Sequence, residues 1–105
     1  MDFYELQAGL FRAMAHPGRM KILTALKEKN KCVSDVVKLV KEPQPRVSRS
    51  LAELNRAGLI KHEKHGVKSC YRISSKEVFK LLDIAGKIII DETESKRKAL
   101  KNKRR

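Results

Sequence analysis

Between Ser34 and Gly58 lie two short apolar stripes, Val36, Val37, Leu39 and Val40 and then Val47, Leu51 and Leu54, with a turn through Lys41, Glu42 and Pro43 and an opening turn at Pro45 between them. Residues three and four apart share one face of a helix, so each stripe marks a helix with one buried side. A short connection holding a proline stops the first helix and makes the second fold across it. Ser34 is the expected N-cap of the first helix, and Asp35 in its first turn suits the helix dipole. Pro45 belongs in the opening turn of the second, and Gly58 is its stop. The spacing therefore predicts two crossed helices on a tight turn.

The flanking segments complete the pattern. Phe3, Leu6, Leu10, Ala13 and Met14 recur at helical spacing, and Pro17 opens another helix expected to bury Met20, Leu23 and Leu26. Cys32 and Val33 suit a short strand. Beyond Gly58, Leu59 to Glu63 and Lys68 to Ile73 read as two strands, joined at Lys64 to Val67 by a hairpin whose Gly66 permits a positive φ. Ser74 with Glu77 spells a capping box, and Val78, Leu81, Leu82, Ala85, Ile88 and Ile89 trace the apolar face of a long last helix. The expected fold is mostly α with a small β-ribbon, in the order α-α-β-α-α-β-β-α. A helix, a turn, a second helix and a β-hairpin make a winged helix-turn-helix.

Charge says what such a fold would meet. The 105 residues suit one domain and carry 25 Lys and Arg against 12 Asp and Glu, a formal charge of +13 that points to a polyanion. Lys96 to Arg105 holds seven of those basic residues and no acid, so residues 1–95 are read as the DNA-binding and dimerisation domain and residues 96–105 as a basic tail that is either solvated or an arm for phosphates. No apolar run exceeds three residues, far short of the roughly 18 that span a bilayer, and Asp2 and Glu5 do not suit a signal peptide. The expectation is a cytoplasmic protein with no membrane partner. No CxxC, HExxH, nucleophile elbow or phosphate loop occurs, which argues against an enzyme, a cofactor and a structural metal.

The outward face of the second helix of the pair follows from its period. At about 100° per residue, a stripe centred on Val47, Leu51 and Leu54 puts Pro45, Arg49, Ala52 and Arg56 opposite, with Arg46 and Ser48 on the flanks. Arginine binds guanine bidentately in the major groove, and Arg49 lies near the helix N-terminus where such helices meet base edges. Arg49 is thus the first choice for base readout and Arg56 for a phosphate. Gln44, Arg46, Ser48 and Ala52 join them as candidate contacts to double-stranded DNA. On the ribbon, Lys64, His65 and Lys68 are placed at the tip, where a wing touches backbone or minor groove.

At these residues the chain resembles the ArsR/SmtB family of winged-helix repressors, from about Leu6 to Ile73. Ala15-His16-Pro17-Gly18-Arg19-Met20-Lys21-Ile22-Leu23 is similar to the family's Ala-Asp-Pro-Thr-Arg-Leu-x-Ile-Leu, departing at His16 and Gly18. Gln44-Pro45-Arg46-Val47-Ser48-Arg49-Ser50-Leu51, then Leu54 and Ala57-Gly58-Leu59-Ile60, resembles Gln-Pro-x-Val-Ser-x-His-Leu-x-x-Leu-x-x-Ala-Gly-Leu-Val, with Ser50 in place of His. The resemblance implies a homodimer, held by the first and last helices, that occupies a partly palindromic operator until a signal releases it. The surplus apolar positions of those helices agree, and Leu6, Leu10, Leu82 and Ile89 are the expected dimer interface. The effector is left unassigned.

Metal sensing is the weaker inheritance. Lys31-Cys32-Val33-Ser34-Asp35-Val36 resembles the family's two-cysteine metal segment with Ser34 at the second thiol, and no histidine follows His65. His62 and His65 point to opposite faces of a strand, which argues against joint ligation. Two other functions stay open: an architectural protein that coats DNA of any sequence, and a thiol redox switch. Strand alternation turns Cys70 away from the inward Tyr71 and Ile73, and Cys32 away from Val33, so that Cys32 and Cys70 form a candidate redox pair on one outward face.

Overall fold

Eight elements occur in the expected order in the computed structural model, which describes residues 1–27 and 29–103, the last two by backbone alone. They are α1 (Phe3–Met14), α2 (Pro17–Ala25), β1 (Lys31–Cys32), α3 (Val33–Val40), α4 (Gln44–Arg56), β2 (Ile60–His65), β3 (Lys68–Ile73) and α5 (Glu77–Lys103). The strands form one antiparallel sheet in the order β1-β3-β2.

The core forms where α2, α3 and α4 meet the root of the ribbon. Ile22, Leu23 and Leu26 from α2, Val36 and Val40 from α3, and Val47, Leu51 and Leu54 from α4 close on Leu59, Ile60 and Val78. Each such side chain taken from water stabilises the fold by about 1.5–3 kcal/mol, enough to set the crossing of the helix pair against chain entropy. The α4 stripe is fully buried, as its period predicts. In α2, Leu23 and Leu26 are buried as expected and Ile22 joins them in the core, whereas Met20 is 41% exposed and lines an open groove with Leu39 and Val40 of α3.

Local chemistry sets the ends of the elements. The Asp2 carboxylate accepts the Glu5 N–H at 2.8 Å and starts α1; Arg19 donates to the Ala13 carbonyl at 3.1 Å, tying the end of α1 to α2. Lys41, at φ 57°, is left-handed and turns the chain from α3 toward α4. At the end of α4, Gly58 takes φ 80°; its N–H bonds to the Asn55 carbonyl and the Leu59 N–H to Leu54, both at 3.0 Å, so that the turn buries Leu59 against the helix it ends. Gly66, at φ 66°, occupies the first central position of the wing turn, where a tight hairpin favours glycine.

Four boundary expectations are corrected. Cys32 rather than Ser34 is the N-cap of α3, its N–H bonded to Asp35 Oδ2 at 3.4 Å, so β1 is Lys31–Cys32 and Val33 is helical. β2 begins at Ile60 and runs to His65, because the turn after Gly58 consumes Leu59. The Ser74 hydroxyl donates to the Leu59 carbonyl at 2.9 Å, and it is Ser75 that accepts the Glu77 N–H, at 3.1 Å. The basic segment, expected to be a separate tail, continues α5 as far as Lys103; Arg104 and Arg105 lie outside the described residues.

Candidate nucleic-acid interface

α4 lies across α3 with its apolar stripe inward, so Gln44, Arg46, Ser48, Arg49, Ala52 and Arg56 are all exposed. They divide into two groups. Gln44 and Ser48, in the first turns, form one wall of a cleft of about 340 Å³ whose other wall is the wing residues Val67, Lys68 and Ser69. Cys32, Val33 and Ser34 form its floor at the start of α3. At the far end of α4, Arg56 lies with Leu10, Ala13 and His16 of the α1–α2 region around a second cleft, and its guanidinium is paired with Glu53 Oε1 at 2.7 Å. Among the described residues, Arg46 and Arg49 have no carboxylate partner.

The pleat of the ribbon sorts its charges. Lys61, Glu63 and His65 on β2 share a face with Lys68, Cys70 and Arg72 on β3, while His62 and Lys64 share the other with Ser69, Tyr71 and Ile73. Lys64 and Lys68 therefore flank the tip from opposite sides, and the tip itself is Gly66 with Val67, whose side chain is fully exposed at 102%. His62 stacks against Tyr71, ring centroids 4.9 Å apart, on the side away from His65.

Glu63 organises this ribbon, a role the sequence pattern did not single out. Its carboxylate accepts from Arg72 Nε, lies 3.2 Å from His65 Nε2 and accepts from Asn30 Nδ2 at 3.0 Å. The hydrogen bond to His65, followed by that to Arg72, holds the Glu63 carboxyl below its ordinary range. The available signal was alternation, since Glu63 is the one acid of the ribbon and sits two residues from His65 on the same face. Arg72 is thereby paired with an acid at the surface of the ribbon, leaving Lys61, Lys64 and Lys68 as the wing's cations without a carboxylate partner among the described residues. Ser34, expected as a cap, stands exposed in the first turn of α3 and lines the cleft between α4 and the wing.

The cysteines are brought together and one is not where alternation alone put it. Cys32 and Cys70 are direct partners across β1 and β3, and Glu63 continues the same row on β2. Cys70 does turn away from the main core, yet it is only 5% exposed, enclosed between these neighbours instead of facing solvent. Among the described residues no three His, Cys, Asp or Glu side chains converge as a metal cage.

A model of the bacterial regulatory protein arsR family matches residues 16–62, which span α2 to the first half of the wing. An HTH-type transcriptional regulator of Methanocaldococcus jannaschii is 38% identical over 87 residues, covering 79% of this chain and 98% of that protein. The chain belongs to the ArsR family. As such it is a winged helix-turn-helix DNA-binding transcriptional regulator and not an enzyme. The HTH-type transcriptional repressor SmtB of Mycobacterium tuberculosis is 38% identical over 65 residues, 62% of this chain and 48% of its own length. The crystal structure of M. tuberculosis Rv0081 superposes with a TM-score of 0.82 at 28% identity, over 91% of this chain and 97% of that one. In ArsR-family terms, α3 and α4 are the helix-turn-helix and β2–β3 the wing. No described helix is long and apolar enough to cross a membrane.

Proposed function

We propose that two copies of the chain pair through α1 and α5 and repress transcription by occupying an operator, α4 in the major groove and the wing on flanking backbone. The carrying observation is the open first half of α4: Arg46 and Arg49 stand exposed, without a carboxylate partner among the described residues, on the helix whose Gln44 and Ser48 share a cleft with Lys68. Arg49 reads a base, most simply a guanine edge; Gln44, Arg46 and Ser48 hold the helix N-terminus in the groove, and Ala52 allows close approach. Lys64, His65 and Lys68 contact phosphates or the minor groove on either side of the wing tip. Arg56 reaches a phosphate with the guanidinium donors that its bond to Glu53 leaves free.

Pairing is supported by what α1 and α5 leave uncovered. Leu6 is 58% and Ile89 64% exposed, Leu10 and Leu82 are half-buried, and Phe3 of α1 and Ile88 of α5 are exposed as well. Apolar area of this kind on the first and last helices is characteristic of an isologous dimer contact. The repressor role is supported by the name of the M. tuberculosis relative. Site selection from random duplexes tests the whole reading. A defined, two-fold site should emerge; Arg49→Ala should cost about 1–3 kcal/mol and relax one position of it, while Lys68→Ala should weaken all sequences alike. Absence of any enriched site would leave a sequence-tolerant coating protein instead.

A further inference from the structure

We infer that Cys32 and Cys70 form a dithiol modification site that reacts with low-molecular-weight disulfides and links the wing covalently to the start of the helix-turn-helix. The register carries this: the two residues are direct Cα partners on adjacent antiparallel strands, both free thiols. Opposed positions hold their Cβ atoms about 4.5–5.5 Å apart, against about 3.5–4.5 Å in a disulfide, so closure asks for a shift of roughly 1 Å. The strands they join differ in role. Cys32 is the N-cap of α3, and Cys70 lies in the wing strand two residues from Lys68.

Access to the two thiols is unequal, and that orders the chemistry. Cys32 is half-buried and lines the cleft between α4 and the wing; Cys70 is buried behind it. The cleft, about 340 Å³, is large enough for a small adduct. The Cys32 thiolate attacks one sulfur of the small disulfide, forming a mixed disulfide and releasing one thiolate, which takes up the proton Cys32 gave. Cys70 then loses its proton and attacks the Cys32 sulfur, expelling the second small thiol with that proton. Two protein thiols are oxidised to one disulfide, and one small disulfide is reduced to two thiols. With both thiols free, Cys70 is pushed up to about 11 by its hydrogen bond to Cys32 and by burial; in the mixed disulfide that hydrogen bond is gone and burial still opposes ionisation of Cys70, so the second step is the slow one at neutral pH.

The chemical step stands independently of how the protein binds DNA; its consequence rests on the operator-binding reading above. Drawing Cys70 toward Cys32 moves β3 toward α3, which shifts Lys68 relative to Gln44 and Ser48 on the opposite wall of the cleft. Oxidation should therefore weaken operator binding by about tenfold, a size usual for coupled sites.

The test treats the whole protein with 2-hydroxyethyl disulfide and follows it by thiol titration, intact mass and gel shift. We expect loss of both thiols in a monomeric chain, a mass lower by two hydrogens, and a peptide joining Cys32 to Cys70. Cys70→Ser should stop at a stable mixed disulfide on Cys32, and Cys32→Ser should leave Cys70 slow to react. In the unaltered chain, closure of the mixed disulfide should speed up about tenfold per pH unit from pH 6 to 8, because the buried thiol must ionise first. Two thiols remaining after treatment, disulfides only between chains, or equal closure in Cys70→Ser would overturn the site. A disulfide formed as expected with unchanged operator affinity would overturn its regulatory consequence. A reduced protein that binds no DNA while its thiols close normally would count against the operator reading and leave the site standing.

Discussion

Replacing Gly58 by alanine isolates a backbone requirement at the junction of α4 and the wing. At φ 80° an L-residue pays roughly 1–2 kcal/mol for the left-handed conformation. A Cβ built there meets nothing within 4 Å, so no steric clash adds to that figure. Alanine also narrows the unfolded ensemble, returning about 0.4–1 kcal/mol, and the net destabilisation should be about 1 kcal/mol. For a chain of this length that lowers Tm by about 5 °C. Thermal unfolding followed by far-UV circular dichroism reads it, at one fixed protein concentration, since a dimer's Tm depends on concentration. Gly58→Asn should fall less, asparagine tolerating this region better. Operator affinity at 25 °C should hardly change, because Arg49 sits two turns upstream. An unchanged Tm would mean that the helix end does not need the left-handed residue; a fall beyond about 10 °C would mean that the space around Gly58 is filled.

Ile89→Glu should shift the protein toward monomer in sedimentation at micromolar concentration, by placing a charge in the apolar surface of α5, and a dimer of unaltered stability would remove that surface from the interface. The Glu63 carboxyl has a lowered folded pKa, so its support of the wing is fully present above the ordinary carboxylate range and disappears only as pH falls through the lowered value. Amide exchange of β2 and β3, corrected for its intrinsic pH dependence, should accordingly show the same protection at pH 7 and pH 5; a loss of protection between these would refute the Glu63 hub. Truncation after Ser95 should flatten the plot of log K against log salt by about 0.9 for each phosphate that the shortened helix no longer reaches, and an identical slope would show that the end of α5 stays off the DNA.

The helix-turn-helix was legible in the sequence because its information is local and redundant. Val47, Leu51 and Leu54 specify a face, Pro45 and Gly58 its limits, and all five stand as their chemistry requires. What the sequence left illegible depends on neighbours distant along the chain. Met20 and Ile22 both fit a helical stripe, and only the packing of the other helices decides which is covered. Ser34 is a better intrinsic N-cap than Cys32, yet the pairing of Cys32 with Cys70 and the reach of Asp35 start the helix earlier. Parity placed the two thiols on one face correctly, but burial of Cys70 also depends on Glu63 from a third strand. On α4, Arg49 and Arg56 share one outward face by period; Glu53 makes them unlike, an i,i+3 pair that the spacing contained.

The polar end of α5 has a further consequence. From Asp91 onward every described side chain is exposed, and the acids Asp91, Glu92 and Glu94 precede the bases Lys96, Arg97, Lys98 and Lys101. Three turns with no core beneath them are supported by one ion pair among the described residues, Glu92 with Lys96 at 4.0 Å, and by bases at the negative end of the helix dipole. Such a pair contributes only about 0.2–0.5 kcal/mol, and salt weakens it. The length of this arm should therefore depend on the electrolyte: added salt should fray it from the carboxyl end, read as a small loss of helical circular dichroism, while the packed part of α5 stays helical.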